Sequence, residues 1–86
     1  MQITELKKKI EEFDKKAGWD KTEFDEFTAF IQEELNNLKS SKGDKQKINH
    51  LLTDILVLIM QMGYRHDIEF NSEIEKWFDK SKKYIK

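Results

Sequence analysis

Residues 48–63 read INHLLTDILVLIMQMG, and how this run is covered decides the fold. Ile48, Leu51, Leu52, Ile55, Leu58, Ile59 and Met62 recur at spacings of three and four, the pattern of one buried helix face. Leu56, Val57 and Met60 carry apolar character round to the other side. A helix this apolar on nearly every face has to be covered from several directions. Its uninterrupted apolar stretch, residues 55–60, is far shorter than the ~20 residues a membrane span requires. The run is therefore expected to be the central helix of a soluble bundle.

Gly43 and Gly63 flank the run and are expected to stop helices, as glycine does where the chain turns left-handed after a last helical turn. With Asp44 as N-cap, the central helix is predicted over 45–62. Upstream, Phe24, Phe27, Ile31, Leu35 and Leu38 predict a helix over 22–41. Asp20 or Thr22 can start it, each followed three residues on by an acid, Glu23 or Asp25. Before that, Ile3, Leu6, Ile10 and Phe13 predict a helix over 3–17 that closes at Gly18. Downstream, a connector over 64–71 leads to a helix predicted over 72–85. That last helix is expected to open with a capping box of Ser72 and Glu75, and to bury Ile74, Trp77, Phe78, Ser81 and Ile85. No strand pattern of period two persists. The expected fold is all-α: one four-helix domain over 1–86, with the second and third helices as its central antiparallel pair.

Size and composition narrow the function. A chain of 86 residues buries only about 60% of the surface its unfolded form exposes, so it needs reinforcement. It has no cysteine, which removes disulfides and thiolate metal sites, and only two histidines, His50 and His66. Oligomerisation is the device left, and a homodimer or a dimer of dimers is expected, with residues 55–60 contributing to a shared core. Sixteen basic against seventeen acidic residues give a net charge of −1, which speaks against nucleic acid as the partner. Residues 1–10 are charged and amphipathic rather than a leader, so a cytoplasmic protein with no membrane partner is expected.

Two acids lie close to apolar stripes. At 100° per residue, Glu34 falls beside Phe27 and Leu38, and Asp54 falls between Leu51 and Leu58. Antiparallel neighbours joined by a short turn would bring the two carboxylates to similar depth. There they repel unless a cation sits between them or one takes up a proton, and Mg2+ suits two oxygen ligands plus water. The plainer alternative is that both acids are partly solvated, with Asp54 accepting from His50 or pairing with Lys47. His50 then reads as a hydrogen-bonded boundary residue and His66 as an exposed one. The basic C-terminal stretch, Lys80 and Lys83 included, can attract phosphate, although acids at 73, 75 and 79 interrupt it.

These segments together resemble the MazG-like all-α nucleoside triphosphate pyrophosphohydrolases. The likeness lies in the Ala17-Gly18-Trp19-Asp20 turn, Glu33-Glu34-Leu35-Asn36-Asn37, the Gly43-Asp44 turn, Leu51-Leu52-Thr53-Asp54 before an apolar run, and Lys83-Tyr84. The resemblance implies hydrolysis of a nucleoside triphosphate to monophosphate and pyrophosphate with Mg2+, or Mn2+ in its place. Carried over by position, Glu34 and Asp54 are metal ligands, and Asn37 joins them as an auxiliary ligand or water-orienting group. Lys80 and Lys83 would touch substrate phosphate. Asn37 and Leu51 stand where the family has acids, so metal binding is expected to be weak and catalysis reduced or altered. The alternative implied by the same losses is an inactive member that senses nucleotide or binds protein.

Overall fold

The computed structural model describes residues 2–85. Its elements are α1 (Ile3–Ala17), α2 (Phe24–Lys39), α3 (Lys45–Arg65) and α4 (Phe70–Ser81), followed by a 3-10 turn over Lys82–Tyr84. No strand occurs among the described residues. Gly18 (φ 74°) and Gly43 (φ 89°) take the left-handed conformation expected of helix stops. Asp44 caps α3 as expected, its Oδ1 accepting from the Lys47 N–H at 3.1 Å. No helix among the described residues is long and apolar enough to cross a membrane.

α3 is the central element, with α2 and α1 packed along it. α2 and α3 run antiparallel. At one end Arg65 stacks over the Phe27 ring, 4.6 Å from its centre, and at the other Asn37 and Leu51 border one hollow. α4 leans chiefly on α1.

Four details depart from the sequence expectations. Helix α2 starts at Phe24 rather than 22, with Glu23 as N-cap, whose N–H donates to Glu26 Oε1 at 3.3 Å. Gly63 does not stop α3, which continues to Arg65 and closes with the His66 N–H on the Met62 carbonyl. Glycine is needed there for space. A Cβ at 63 would lie 2.2 Å from Phe70 Cε2, so the missing side chain lets the first turn of α4 press against α3. The left-handed turn falls instead at Asp67 (φ 53°), a residue type that tolerates it. Helix α4 accordingly begins at Phe70 with Glu69 as its N-cap, and Ser72 lies inside the helix.

Burial also shifts by one position in α1. Phe13, expected inward, is exposed and packs edge-on against Trp19, whereas Asp14 has no exposed surface at all. The stripe that α1 buries thus runs Leu6, Ile10, Asp14. Along α4 the expected burial is absent: Trp77 and Phe78 are each 60% exposed and pack against one another, and Ile74 and Ile85 are also exposed. The short α4 rests on α1, which leaves its apolar side uncovered. Phe27 and Met60 are the buried apolar residues among those described. Met60 is thus already buried within the single chain.

Candidate functional site

Glu34 comes from the middle of α2 and Asp54 from the middle of α3, and the short turn over 40–44 sets both at the same depth. They face one cleft of about 310 Å3, which Trp19, Phe30, Leu58 and Gln61 also line. Glu34 is half-buried, and its Oε2 is shut off from solvent without a hydrogen-bond donor. Its carboxyl group titrates above the ordinary glutamate range. Burial is the main cause, followed by the negative charge of Asp54 and the hydrogen bond a protonated Glu34 can give it, then Glu33, with His50 opposing. Asp54 in turn is held by His50, Nε2 to Oδ2 at 3.4 Å, rather than by Lys47. Helical spacing makes that pairing, since residues four apart are neighbours on one face.

The Glu34 shift fixes a pH dependence. The folded chain holds the proton more tightly than the unfolded one, so this group favours folding below the ordinary glutamate pKa. That contribution is lost as pH rises through the raised value. Glu34→Gln is therefore expected to be more stable than the parent at neutral pH, with the gap closing as pH falls below the ordinary glutamate value. Urea titrations at a series of pH values check it; a gap that does not change with pH would contradict it.

Asn37 borders the next hollow along the helix pair, about 420 Å3, with Ser40, Ser41, Lys47, His50 and Leu51. Its backbone carbonyl accepts from Ser41 Oγ at 2.7 Å and Ser40 Oγ at 3.0 Å. The two positions where the family likeness expects acids, Asn37 and Leu51, thus lie together and next to the acid pair. Lys80 and Lys83 do not join it. Lys80 lines a separate hollow beside Trp77, Phe78 and Tyr84, and Lys83 Nζ sits 5.2 Å from the centre of the Tyr84 ring. His66 is exposed, as the sequence suggests, and meets the edge of Phe24.

Among the described residues, no three His, Cys, Asp or Glu side chains gather into a metal cage. Three carboxylates border the cleft, those of Glu33, Glu34 and Asp54; Glu33 is exposed, and the facing pair Glu34 and Asp54, one with an oxygen lacking any donor, fits a single Mg2+ that keeps most of its water. The pair does not fit a two-ion site.

A second cluster, which the sequence does not announce, shapes the same cleft. Asp14 accepts from Gln61 Nε2 at 2.9 Å and from the Tyr64 hydroxyl at 2.7 Å, and Arg65 Nη2 lies 4.0 Å away. Burial, and next the hydrogen bond to Asp14, push the Tyr64 hydroxyl above the usual tyrosine range. The Arg65 guanidinium also donates to the carbonyls of Trp19 and Thr22. The Trp19 N–H donates to the Asp14 carbonyl at 2.8 Å. Arg65, with the Asp14 carboxylate as its counter-charge, and the Asp14 backbone carbonyl thereby pin the connector that carries Trp19, a wall of the acid cleft. The available signal is the position of Asp14 four residues after Ile10, on the stripe rather than off it.

In comparison with known proteins, no protein-family model matches the chain, and no curated protein or solved structure matches it.

Proposed function

We propose that the chain is a small MazG-like helical subunit that self-associates and acts on a nucleoside triphosphate at the cleft of Glu34 and Asp54, releasing monophosphate and pyrophosphate slowly. The observation that carries this reading is the convergence of the two carboxylates on one cleft, beside an unsatisfied Glu34 oxygen. When bound there, Mg2+ supplies charge neutralisation for the triphosphate. Glu34 and Asp54 would hold it, and His50 keeps the Asp54 carboxylate oriented. In the reaction a water oxygen bonds to the α-phosphorus while the bridging oxygen to the β-phosphate departs with pyrophosphate. The proton that the water loses leaves to solvent through the open cleft. Asn37, one turn along α2, can orient water through its amide. Trp19 and Phe30 offer an aromatic wall on which a nucleobase can stack.

Half a ligand set keeps the expected rate low. Pyrophosphate release over a panel of ribo- and deoxynucleoside triphosphates, with Mg2+ and with Mn2+, tests the reading. Asp54→Asn is expected to lower that release at least about tenfold and to abolish stabilisation by Mg2+, while leaving the helical content intact. Unchanged Mg2+ affinity by calorimetry would move the metal elsewhere.

A second reading, a non-catalytic module that binds protein or senses nucleotide, is favoured by the amount of apolar surface left bare on α3 and α4. Triphosphates that bind without turnover would select it. Self-association is common to both readings, since a core whose buried apolar side chains, among those described, are Phe27 and Met60 is thin for a domain of this size.

A further inference from the structure

We infer that the exposed stripe of Leu52, Leu56 and Ile59 on α3 is the seat of a second copy of this chain, packed antiparallel about a two-fold axis that passes close to Leu56. The inference rests on the self-association proposed above and specifies its face. Three observations carry it.

The first is area. The chain exposes 7195 Å2, whereas a monomeric protein of 10.4 kDa is expected to expose about 5,400 Å2. The excess, about 1,800 Å2 per copy, falls in the range that obligate homodimers bury. Its radius of gyration, 15.0 Å, likewise exceeds the ~12 Å of a compact chain this long.

The second is the shape of the stripe. Leu52 and Leu56 are each 50% exposed and Ile59 is 42% exposed, although they sit on the helix that forms the centre of the single chain. Their spacings of four and three are those of a helix–helix seam. The next position of the seam is Gly63, already filled by the chain's own Phe70. In an antiparallel self-pairing, Leu56 meets its own copy and Leu52 meets Ile59 of the other.

The third is charge. Between Lys47 and Arg65, α3 carries only His50 and Asp54 as titratable side chains besides Tyr64. Asp54 lies roughly 160° round the helix from Leu52 and Leu56. α3 itself therefore sets no like charges against each other on this face. The other bare patch, around Trp77 and Phe78, is interleaved with charges of both signs, Lys76 paired with Glu73 and Lys82 with Asp79 beside Lys80 and Lys83, so that two copies meeting there would have to desolvate charged side chains that the α3 stripe lacks.

The absence of cysteine gives a direct test on the full chain. Sedimentation of the parent at micromolar concentration is expected to show a dimer or a larger even oligomer. Leu56→Cys, oxidised with copper phenanthroline, is expected to cross-link to itself. Leu52→Cys and Ile59→Cys are expected to cross-link when mixed and far less when alone. Leu56→Glu is expected to keep the helical circular dichroism, because Leu56 is not in the core of the single chain. It should weaken the dimer by roughly a hundredfold or more, since a two-fold interface carries the change twice. A monomeric parent overturns both the inference and the self-association beneath it. A dimer that survives Leu56→Glu, with no cross-link formed by the Leu56→Cys variant, overturns the α3 face alone.

Discussion

Asp14→Ala is expected to destabilise the chain by about 3–5 kcal/mol, the loss typical of removing one partner from a buried charged cluster. The change strands three groups at once. Gln61 loses its acceptor, the Tyr64 hydroxyl loses its partner, and Arg65, with only 14% of its side chain exposed, loses its counter-charge. A small domain has a total stability near the low end of roughly 5–15 kcal/mol, so much of the population should unfold at room temperature. Asp14→Asn separates the causes: it retains an acceptor oxygen but leaves Arg65 uncompensated, and should fall between parent and alanine variant. Urea denaturation followed by tryptophan fluorescence reads the effect well, because Trp19 sits on the connector that this cluster pins. Parent-like stability in Asp14→Ala would mean that the cluster is replaced by water at no net loss.

Asn37→Glu combined with Leu51→Glu should produce the largest functional change. Both side chains border one hollow next to Glu34 and Asp54. Two added carboxylates would make four, enough to balance two divalent ions, and an in-line displacement gains when attacking and leaving oxygens are both held. Mg2+-dependent pyrophosphate release is expected to rise at least about tenfold in the double variant and little in either single one, because ligands of one cage act together. Without metal, the double variant should be less stable than the parent through carboxylate repulsion, and Mg2+ should return more stability to it. A parent that already hydrolyses triphosphates efficiently would contradict the account of missing ligands. A double variant with neither tighter metal binding nor faster release would favour the non-catalytic reading.

Much of the architecture is legible in the sequence because it is written locally. Four stripes of helical period become four helices, and Gly18 and Gly43 terminate two of them, since a left-handed turn is a property of a few adjacent residues. The meeting of Glu34 and Asp54 is legible too: helix angle and a short antiparallel turn suffice. What escapes depends on distant neighbours. Phe13 outranks Asp14 on any hydropathy scale, yet Asp14 is buried because Gln61 and Tyr64, 47 and 50 residues away, supply donors for it. A glycine that ends a helix and a glycine that admits an aromatic ring look identical in sequence, so the pattern alone predicts a stop at Gly63. Along α4 the apolar face is plain, but periodicity identifies a face without naming what lies against it. The family likeness assigns Lys80 and Lys83 to phosphate, whereas the C-terminal segment holds them away from the acid cleft.

The Asp14 cluster also orders events in time. α1 comes first in the chain, but the donors for its carboxylate lie about fifty residues later. Until the last turn of α3 is in place, the Asp14 carboxylate has no donors and is better left in water than buried. The α2–α3 hairpin closes over a short loop and needs no such wait. Folding is therefore expected to start at this hairpin, with α1, though earlier in the chain, docking afterwards. Arg65, by fastening the Trp19 connector, completes the cleft only once the last turn of α3 has formed.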